Sequence, residues 1–384
     1  MGIKNLHGFL KKKIPHVYEE VHLSEYAFKR VAVDAAIYLC KFKTSLGVQW
    51  LSGFVQMCAV FRDNGIHPVF IFDNVFPPEK NEEKKRRADA RIQTKNRLDT
   101  LRAEWEVLRE RLINIDKTRH CSIRDPSIPI DLYSFLFKTF ISTDSKMEDS
   151  QHAISINDID LEFERLHNTL LVIDPEDNNR IRRLLDILRI PHMIAIGEAE
   201  ATASYLNMWG VVDAVLTDDT DVLAYGCPVF LHRLNIQDAT CTRLRIVDVV
   251  RSLGISTEAF LDFCILCGTD YNSNIPGIGC EKAFRLLKEN GRIEDLSVRH
   301  NIHYQRVREI FHKKPIVDKR INIPLCDIPD ASELSRFLFE NNIILNDPAH
   351  IMRQFTENRF IIYPSEKMSE PAGMFRLSLL RPVK

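Results

Sequence analysis

The chain has 384 residues, 45% of them hydrophobic, so it is long enough for two or three folded domains or one large core with additions, and disorder is not expected. Its net charge of −1 excludes a general electrostatic attraction to nucleic acid, so any such binding must come from a local basic patch. The nine cysteines are odd in number and scattered from Cys40 to Cys326, which favours a reducing compartment over a disulfide framework.

The opening residues and the apolar runs bear on where the protein resides. Residues Met1–Leu6 lack the apolar segment of a secretory signal, and position 6 lacks the Ser or Thr that myristoylation of Gly2 prefers. No apolar run approaches the length of a membrane span. We therefore expect an intracellular protein with no membrane partner.

The first 78 residues predict an α/β unit in which two apolar strands each end in an acid, Asp34 and Asp73. Parallel strands joined by helices imply a right-handed crossover. The predicted elements, in order, are the strand Arg30–Val33, the helices Ala35–Phe42 and Trp50–Arg62, a helix stop at Asn64-Gly65, and the strand His67–Phe72.

After Asp73 the composition changes to a strongly charged stretch that predicts a helix from Glu79 to Lys117. Pro77-Pro78 breaks the chain before it. Taken alone, such a run is more typical of a solvated helix face than of a binding surface. It favours binding if it lies beside a site that takes an anionic substrate such as a phosphodiester. The cations of its first half are Lys80, Lys84, Lys85, Arg86, Arg87, Arg91, Lys95 and Arg97.

Residues 113–170 predict an insertion with a small apolar patch of its own and no role that the residues reveal. Turns are predicted at Asp125-Pro126 and Ile128-Pro129, and Ser142–Ser150 is polar. An amphipathic helix from Asn179 to Leu188 then leads back to regular structure. The patch contains the aromatic residues Tyr133, Phe135, Phe137 and Phe140.

Two tight pairs of acids follow, Glu198 with Glu200 in Gly-Glu-Ala-Glu-Ala and Asp219 with Asp221 in Thr-Asp-Asp-Thr-Asp. Each pair comes directly after a predicted strand, and a helix lies between the pairs. These elements are the strand His192–Ile196, the helix Ala199–Trp209 and the strand Asp213–Thr217.

A metal site is the favoured interpretation of these acids. Any single Asp after a strand is usually a helix cap. Four strands that each end in an acid, however, place those acids at one edge of a parallel sheet, where sites form in open α/β sheets. Carboxylates this dense repel one another unless a cation lies between them, and hard divalent ions such as Mg2+ prefer oxygen ligands.

A further acid, Asp270, follows an apolar helical run, Phe260–Cys267, and precedes Gly277-Ile-Gly279. Glycines between two helices let backbone approach a phosphate and leave free amides at the start of the second helix, as in helix-hairpin-helix DNA binding. A lone Gly-x-Gly is weak evidence for DNA binding, and here it is strengthened by the nearby acid, Asp270. The close pair Cys264 and Cys267 predicts buried thiols rather than a zinc site, since no second pair lies near.

With these seven acids placed, the chain resembles the flap endonuclease family, the structure-specific 5′ nucleases of the XPG superfamily. The resemblance covers residues 1 to about 112 and about 176 to 355. The motifs occur in the family's order and approximate spacing. They are Met1-Gly-Ile-Lys, Val31-Ala-Val-Asp34-Ala, Phe70-Ile-Phe-Asp73, Gly197-Glu-Ala-Glu-Ala201, Thr217-Asp-Asp-Thr-Asp221, Gly268-Thr-Asp270-Tyr and Gly277-Ile-Gly279.

The resemblance implies a PIN-like α/β fold, with a mainly parallel central sheet flanked by helices, a helical arch and a helix-two-turn-helix DNA-binding element. It divides the chain into four regions. These are 1–112, nuclease region with the start of the basic arch; 113–170, insertion; 171–290, internal nuclease region with the helix-two-turn-helix; and 291–384, C-terminal helical region and tail.

The resemblance also implies two Mg2+ ions, which Mn2+ can replace, and a K+ ion at the helix-two-turn-helix. Lys80 and Arg87 match the basic pair that contacts the scissile phosphate. The first metal site would use Asp34, Asp73, Glu198 and Glu200, and the second Asp219, Asp221 and Asp270. The expected DNA contacts are Gly2, Lys80, Lys84, Arg87, Arg91, Glu198, Gly268, Asp270, Gly277, Gly279 and Lys282.

The implied activity is cleavage of DNA at 5′ flaps, with 5′–3′ exonuclease action, in replication, repair or recombination. The products would carry a 5′-phosphate and a 3′-hydroxyl. Nucleases of the same superfamily that cut bubbles or junctions would carry the same acids. An inactive DNA-binding scaffold is disfavoured, because idle buried carboxylates carry a desolvation cost. We expect a monomer acting on branched DNA in the nucleus, or in the host nucleus or cytoplasm if the chain is viral.

Three departures from the family pattern suit a divergent member, such as a large DNA virus would encode. Cys40 replaces the usual stacking aromatic, with Tyr38 on a different face. The segment before the Glu198 strand is longer by about fifty residues than in cellular members. The end of the chain, Phe375–Lys384, lacks the motif that binds the sliding clamp. The aromatics of the insertion are expected to bury one another, and stacking on a single DNA strand is the alternative.

Overall fold

The central sheet has eight strands, and the acids predicted at strand ends come from four of them. The computed structural model of the chain describes residues 2–114, 119–122, 125–141, 153–297, 302–314 and 321–356, with the backbone of 374–375. In chain order the elements are α1 Leu6–Lys13, β1 Glu19–His22, β2 Arg30–Asp34, α2 Ala35–Leu46, α3 Trp50–Asp63, β3 His67–Phe72, α4 Asn81–Asn114, β4 His120–Ser122, α5 Ile130–Leu136, β5 Ala153–Ser155, α6 Ile156–Thr169, α7 Pro175–Ile187, β6 His192–Ile194, α8 Ala199–Met208, β7 Ala214–Leu216, α9 Asp221–Ala224, β8 Val229–Asn235, β9 Thr240–Arg245, α10 Ile246–Leu253, α11 Thr257–Cys267, α12 Cys280–Asn290, α13 Tyr304–His312, α14 Ala331–Glu340, α15 Pro348–Thr356 and β10 Met374–Phe375.

The strand order is β1-β9-β8-β7-β2-β3-β6-β10. Strands β7, β2, β3 and β6 are parallel neighbours, β8 runs parallel to β7, and β9 pairs antiparallel with β8 and β1. The mainly parallel sheet expected from the sequence is therefore confirmed. Because parallel strands end at the same edge, the acids that follow β2, β3, β6 and β7 lie at one rim.

The two faces of the sheet carry two separate cores. In β2, Val31 and Val33 pack in one cluster while Ala32 packs in the other, as the alternation of a strand requires. One core joins the sheet to α2, α3 and α7, and the other joins it to α8, α11 and α12. Strands buried on both faces explain why the predicted runs were almost continuously apolar.

The predicted helices and strands of this sheet are found, with small shifts at their ends. Helix α2 runs on to Leu46 rather than Phe42, and the strand after α7 ends at Ile194 rather than Ile196. Gly65 has φ +68°, so the helix stop before β3 uses glycine's left-handed freedom. Helix α7 begins at a capping box in which Asp174 and Asp177 each accept the other's backbone N–H, at 2.9 and 2.8 Å.

Two compact units make up the chain: residues Met1–Phe42, Gln49–Glu83 and Ile173–Lys384 form one, and Lys43–Val48 with Lys84–Val172 form the other. The second unit has its own core around Trp105, Leu132 and Phe163. It begins at Lys84, so it takes in most of α4 as well as the insertion expected from residue 113.

Two sequence expectations concern residues outside those that the structure describes: the polar stretch Ser142–Ser150 and the C-terminal Phe375–Lys384, apart from the backbone of Phe375. The described part of the chain contains no helix long and apolar enough to cross a bilayer.

Candidate active site

The seven predicted acids all belong to the first unit, and six of them are buried. Each is placed by an element boundary rather than by the middle of a helix or strand. Asp34 ends β2, Asp73 follows β3, Glu198 and Glu200 flank the start of α8, Asp219 lies between β7 and α9, Asp221 begins α9, and Asp270 follows α11. Asp73 is the one that is only partly buried.

Asp34 and Asp73 are each held by hydrogen bonds from neighbouring elements. Asp34 Oδ1 accepts the backbone N–H groups of Ala36 and Ile37, at 3.0 and 3.3 Å, so this acid does cap α2. Its Oδ2 accepts the hydroxyl of Thr217 at 2.9 Å. Asp73 Oδ1 accepts the backbone N–H of Ala199 at 2.8 Å, which ties the end of β3 to the start of α8. Asp34 is therefore a helix cap as well as one of the buried acids at the rim of the sheet.

Lys80 lies among three of the acids. Its Nζ is paired with Glu198 Oε1, lies 3.3 Å from Asp270 Oδ2 and 3.6 Å from Glu200 Oε1. Only 9% of its side chain is exposed. Although burial lowers the pKa of Lys80, Glu200, Glu198 and Asp270 raise it more, and the pKa lies above its usual value. The ammonium therefore stays charged and neutralises this part of the cluster.

Tyr271 binds the second carboxylate oxygen of Glu198, Oε2, whereas Lys80 is paired with Oε1. Its hydroxyl donates to Glu198 Oε2 and lies 2.9 Å from the hydroxyl of Tyr225. Burial raises the pKa of both phenols well above the usual value, so both remain protonated donors. Glu198 is thus held between an ammonium and a phenol.

Gly2 lies against the second acidic pair. A Cβ at this position would come within 2.1 Å of Asp219 Oδ1 and 2.8 Å of the backbone nitrogen of Asp221, and φ is +79°. The adjacent residue, Ile3, donates its N–H to the hydroxyl of Thr220 at 2.8 Å. Only glycine fits both the backbone conformation and the space. Gly2 was predicted as a DNA contact, and the structure shows that it borders the acids themselves.

The nearby cations and hydrogen-bond donors compensate only part of the negative charge of these buried carboxylates. Burial, followed by the nearby Asp73, raises the pKa of Asp34 to about 7. Burial also raises the pKa values of Glu200 and Asp221 well above their usual range, with Glu198 and Asp219 as the next causes. Both carboxylate oxygens of Asp221 are buried without a hydrogen-bond partner. A cation bound here would remove each of these costs.

These residues fit a hard divalent cation by their chemistry, since all seven donors are carboxylates. Among the described residues, no three acidic, histidine or cysteine side chains converge as metal ligands do. The ammonium of Lys80 lies where Glu198, Glu200 and Asp270 meet. The structure therefore brings three of the predicted acids together around a lysine.

The predicted helix-two-turn-helix is formed by α11, the turns that follow it, and α12. Gly268 and Gly277 have φ of +96° and +75°. A Cβ at Gly268 would come within 2.9 Å of the backbone of Asn274, whereas Gly277 and Gly279 face open space. Lys282 is exposed on α12 and borders a cavity of about 520 Å³ lined by Lys13, Glu281, Lys282, Phe284, Arg285 and Lys288. A basic concavity beside free helix amides suits a phosphate backbone.

The other predicted cations lie on α4 in the second unit. Lys84 and Arg91 are exposed there and Arg87 is partly buried. The aromatics of this unit divide into two groups: Phe135 and Phe140 pack against its core, while the exposed rings of Tyr133 and Phe137 stack on each other with centroids 5.9 Å apart.

Two further sequence predictions concern the cysteines of α11 and the residues Tyr38 and Cys40 of α2. Cys264 and Cys267 are buried in α11, in agreement with the core-thiol interpretation. Cys40 is exposed on α2 and Tyr38 is buried, so the two do point to different faces.

Sequence reasoning gave no role to Thr217, Tyr225 or Tyr271, and it did not pair Lys80 with Glu198, Glu200 and Asp270. Thr217 serves two acids, since its hydroxyl donates to Asp34 and accepts the N–H of Asp219 at 3.1 Å. Its place at the head of Thr-Asp-Asp-Thr-Asp was the available signal. Tyr271 directly follows Asp270, but its contact with Glu198 spans 73 residues and has no local signature.

Family models match the chain in two segments: the XPG N-terminal domain over residues 1–94 and the XPG I-region over residues 189–270. These segments contain all seven acids and Lys80. A probable RAD2-like endonuclease of invertebrate iridescent virus 3 is 27% identical, over 93% of this chain and 98% of its own length. Flap endonuclease 1 of Babesia bovis is 28% identical, over 89% of this chain and 45% of its own length.

Solved structures support the same fold. The catalytic core of Rad2 in complex with a DNA substrate aligns with a TM-score of 0.57 at 17% identity, covering 93% of this chain and 99% of that one. The flap endonuclease-1 of Methanococcus jannaschii aligns with a TM-score of 0.56 at 22% identity, covering 88% and 95%. The chain therefore carries, in order, the XPG N-terminal domain and the XPG I-region, which together contain its acidic rim.

Proposed function

We propose that the protein is a divalent-metal-dependent endonuclease that cleaves DNA at 5′ single-stranded flaps, in replication, repair or recombination. The observation that carries this proposal is the set of seven acids at one rim, six of them buried, three of which lie around the ammonium of Lys80. Buried carboxylates without enough counter-charge are costly and mark sites where a cation or an anionic transition state is handled.

Two Mg2+ ions, or Mn2+ in their place, would be held by Asp34, Asp73, Glu198 and Glu200 and by the second group, Asp219, Asp221 and Asp270. Such ions activate a water and stabilise the leaving oxygen in a phosphoryl displacement. The protein's own groups keep the acids ready for this. Thr217 and Tyr271 orient Asp34 and Glu198 by hydrogen bonds.

Lys80 has a second role in this proposal. In the structure its ammonium neutralises Glu198, Glu200 and Asp270. Bound cations would take over that neutralisation, and the ammonium would then be available to a non-bridging oxygen of the scissile phosphate. Positive charge at this place stabilises charge that grows in the transition state. Arg87 is the second cation of the basic pair that the family resemblance implies.

The duplex would bind at the basic cavity beside α12. Lys13, Lys282, Arg285 and Lys288 line it. The exposed glycines Gly277 and Gly279 precede the first amides of α12, where a backbone phosphate, together with K+, would be held. These contacts carry no base-edge recognition, so selection would follow the shape of the DNA and not its sequence.

The test is cleavage of end-labelled DNA with a 5′ flap, a 3′ flap, a bubble or a four-way junction, over a titration of Mg2+. We expect cleavage near the base of the 5′ flap, loss of cleavage in excess EDTA, and no cleavage by Asp219→Asn although it still binds the DNA. Cleavage that persists in EDTA would contradict the metal mechanism. Preference for the bubble or the junction would replace flap specificity with the alternative activity.

A further inference from the structure

Helix α13 contacts Tyr271, which is bonded to Glu198, and Glu79, which precedes Lys80, although it lies outside both segments that the family models match. Its Phe311 ring packs on Tyr271 with centroids 5.3 Å apart and on Tyr225 at 4.7 Å. Phe311 is 2% exposed. The phenol that donates to Glu198 is therefore backed by an α13 side chain.

The same helix holds the short turn that carries Lys80. Arg306 Nε donates to Glu79 Oε1 at 2.6 Å, and Glu79 directly precedes Lys80. Its hydrogen bond with Arg306 lowers the pKa of the Glu79 carboxyl, so the pair stays ionised. Arg306 and Glu79 are 227 residues apart, and this contact fixes the turn Pro78–Lys80 from outside the acidic cluster.

Helix α13 is itself anchored to the helix that leads to Asp270. Arg308 donates to Asp262 of α11 at 2.6 Å and to Glu294 at 2.8 Å. The hydroxyl of Tyr205 on α8 donates to the backbone oxygen of Phe311 at 3.1 Å. The middle of α13 is thus fixed to α11, which leads to Asp270, and its last turn is fixed to α8, which carries Glu200.

We propose that α13 is a positioning element of the active site, in which Arg306 holds Lys80 through Glu79 and Phe311 holds Tyr271. Lys80 and Tyr271 both contact Glu198. The proposal rests on the proposed nuclease function, but it concerns the placement of Lys80 and can be measured without cleavage. Arg306 acts through Lys80 and makes no contact with the reacting phosphate.

The first measurement is the reactivity of the Lys80 amine. Acetylation by an N-hydroxysuccinimide ester, followed by peptide mass spectrometry of the full chain, reports how well Lys80 is held in its ion pairs. We expect Arg306→Ala to increase the acetylation rate of Lys80 about two- to fivefold, the range for loss of a partly exposed ion pair. The matched control is Arg183→Ala, which breaks an ion pair of 3.2 Å to Glu340 between two other helices and should leave Lys80 unchanged.

The second measurement is a double-mutant cycle in single-turnover cleavage of the 5′ flap. Arg306→Ala should lower the rate about two- to fivefold without weakening DNA binding, and in a Lys80→Ala background it should have no further effect. The thermal midpoint of each variant verifies that it folds, and Arg183→Ala again serves as control.

Unchanged acetylation of Lys80 in Arg306→Ala would overturn the proposal, whatever the cleavage rate. So would equal losses from Arg306→Ala in the presence and absence of Lys80, or a weaker affinity for DNA as its main effect, since each would assign Arg306 another role. If the parent protein cleaves none of the substrates but acetylation rises as expected, the nuclease function fails and the positioning role stands.

Discussion

The sharpest consequence of the site is that Gly2 tolerates no side chain. In Gly2→Ala the new Cβ would start 2.1 Å from Asp219 Oδ1, and real Cβ atoms keep at least 3.0 Å, so the carboxylate must move by about 0.9 Å. The backbone nitrogen of Asp221, at 2.8 Å, limits how the new methyl group can escape. A shift of about 1 Å in a catalytic group costs on the order of 100-fold in rate. The left-handed φ of +79° adds about 1–2 kcal/mol of strain.

Gly210→Ala is the matched control, because Gly210 has φ +69° and no atom within 4 Å of an added Cβ. It therefore carries the backbone strain without the clash. We expect single-turnover cleavage of a 5′ flap in Mg2+ to fall on the order of 100-fold in Gly2→Ala and by less than about twofold in Gly210→Ala. DNA affinity in Ca2+ should stay similar in both. Equal cleavage rates for the two variants would refute the packing of Gly2 against Asp219.

Four further predictions concern charge, pH and packing. Asp221→Asn should raise the thermal midpoint in EDTA, because it removes a buried carboxylate whose oxygens have no hydrogen-bond partner. The same variant should lose cleavage and should be stabilised less by Mg2+. A lower midpoint in EDTA would contradict this prediction. Lys80→Ala and Arg87→Ala should each lower the cleavage rate more than the affinity for DNA, and equal losses would return them to a solvated helix face. Burial lowers the pKa of His7 to about 4 and of the stacked His232 to about 3, so both stay neutral in the fold. Their contribution to the free energy of unfolding should therefore be complete above about pH 6.5 and should decrease as the pH falls towards 4. His232→Phe should reduce this pH dependence, measured by urea titrations at each pH, and an unchanged pH dependence would contradict the reasoning. Phe135→Ala should lower the thermal midpoint, whereas Tyr133→Ala should not, because only Phe135 packs against the core of the second unit.

The parallel sheet and the identity of its acids could be predicted from the sequence. Strands β2, β3 and β7 are short apolar runs with acids at their ends: Asp34 ends β2, Asp73 follows β3, and Asp219 comes three residues after β7. Such patterns are local: strand formation depends on neighbouring residues, and parallel strands joined by helices have few ways to pack. The carboxylate chemistry that suits Mg2+ is likewise a property of residue type and needs no coordinates.

The partners of those acids were decided by the tertiary structure alone. Lys80 is 118 residues from Glu198, Tyr271 is 73 residues from it, and Arg306 is 227 residues from Glu79. No spacing rule connects such positions, since their contact depends on where the chain returns after several elements. Charge illustrates the same limit. The basic run after Asp73 has the composition of a solvated helix face, yet the fold buries Lys80 among three acids and leaves Lys84 exposed. The reason is that the burial of a side chain depends on the part of the folded protein it contacts and not on its neighbours in sequence.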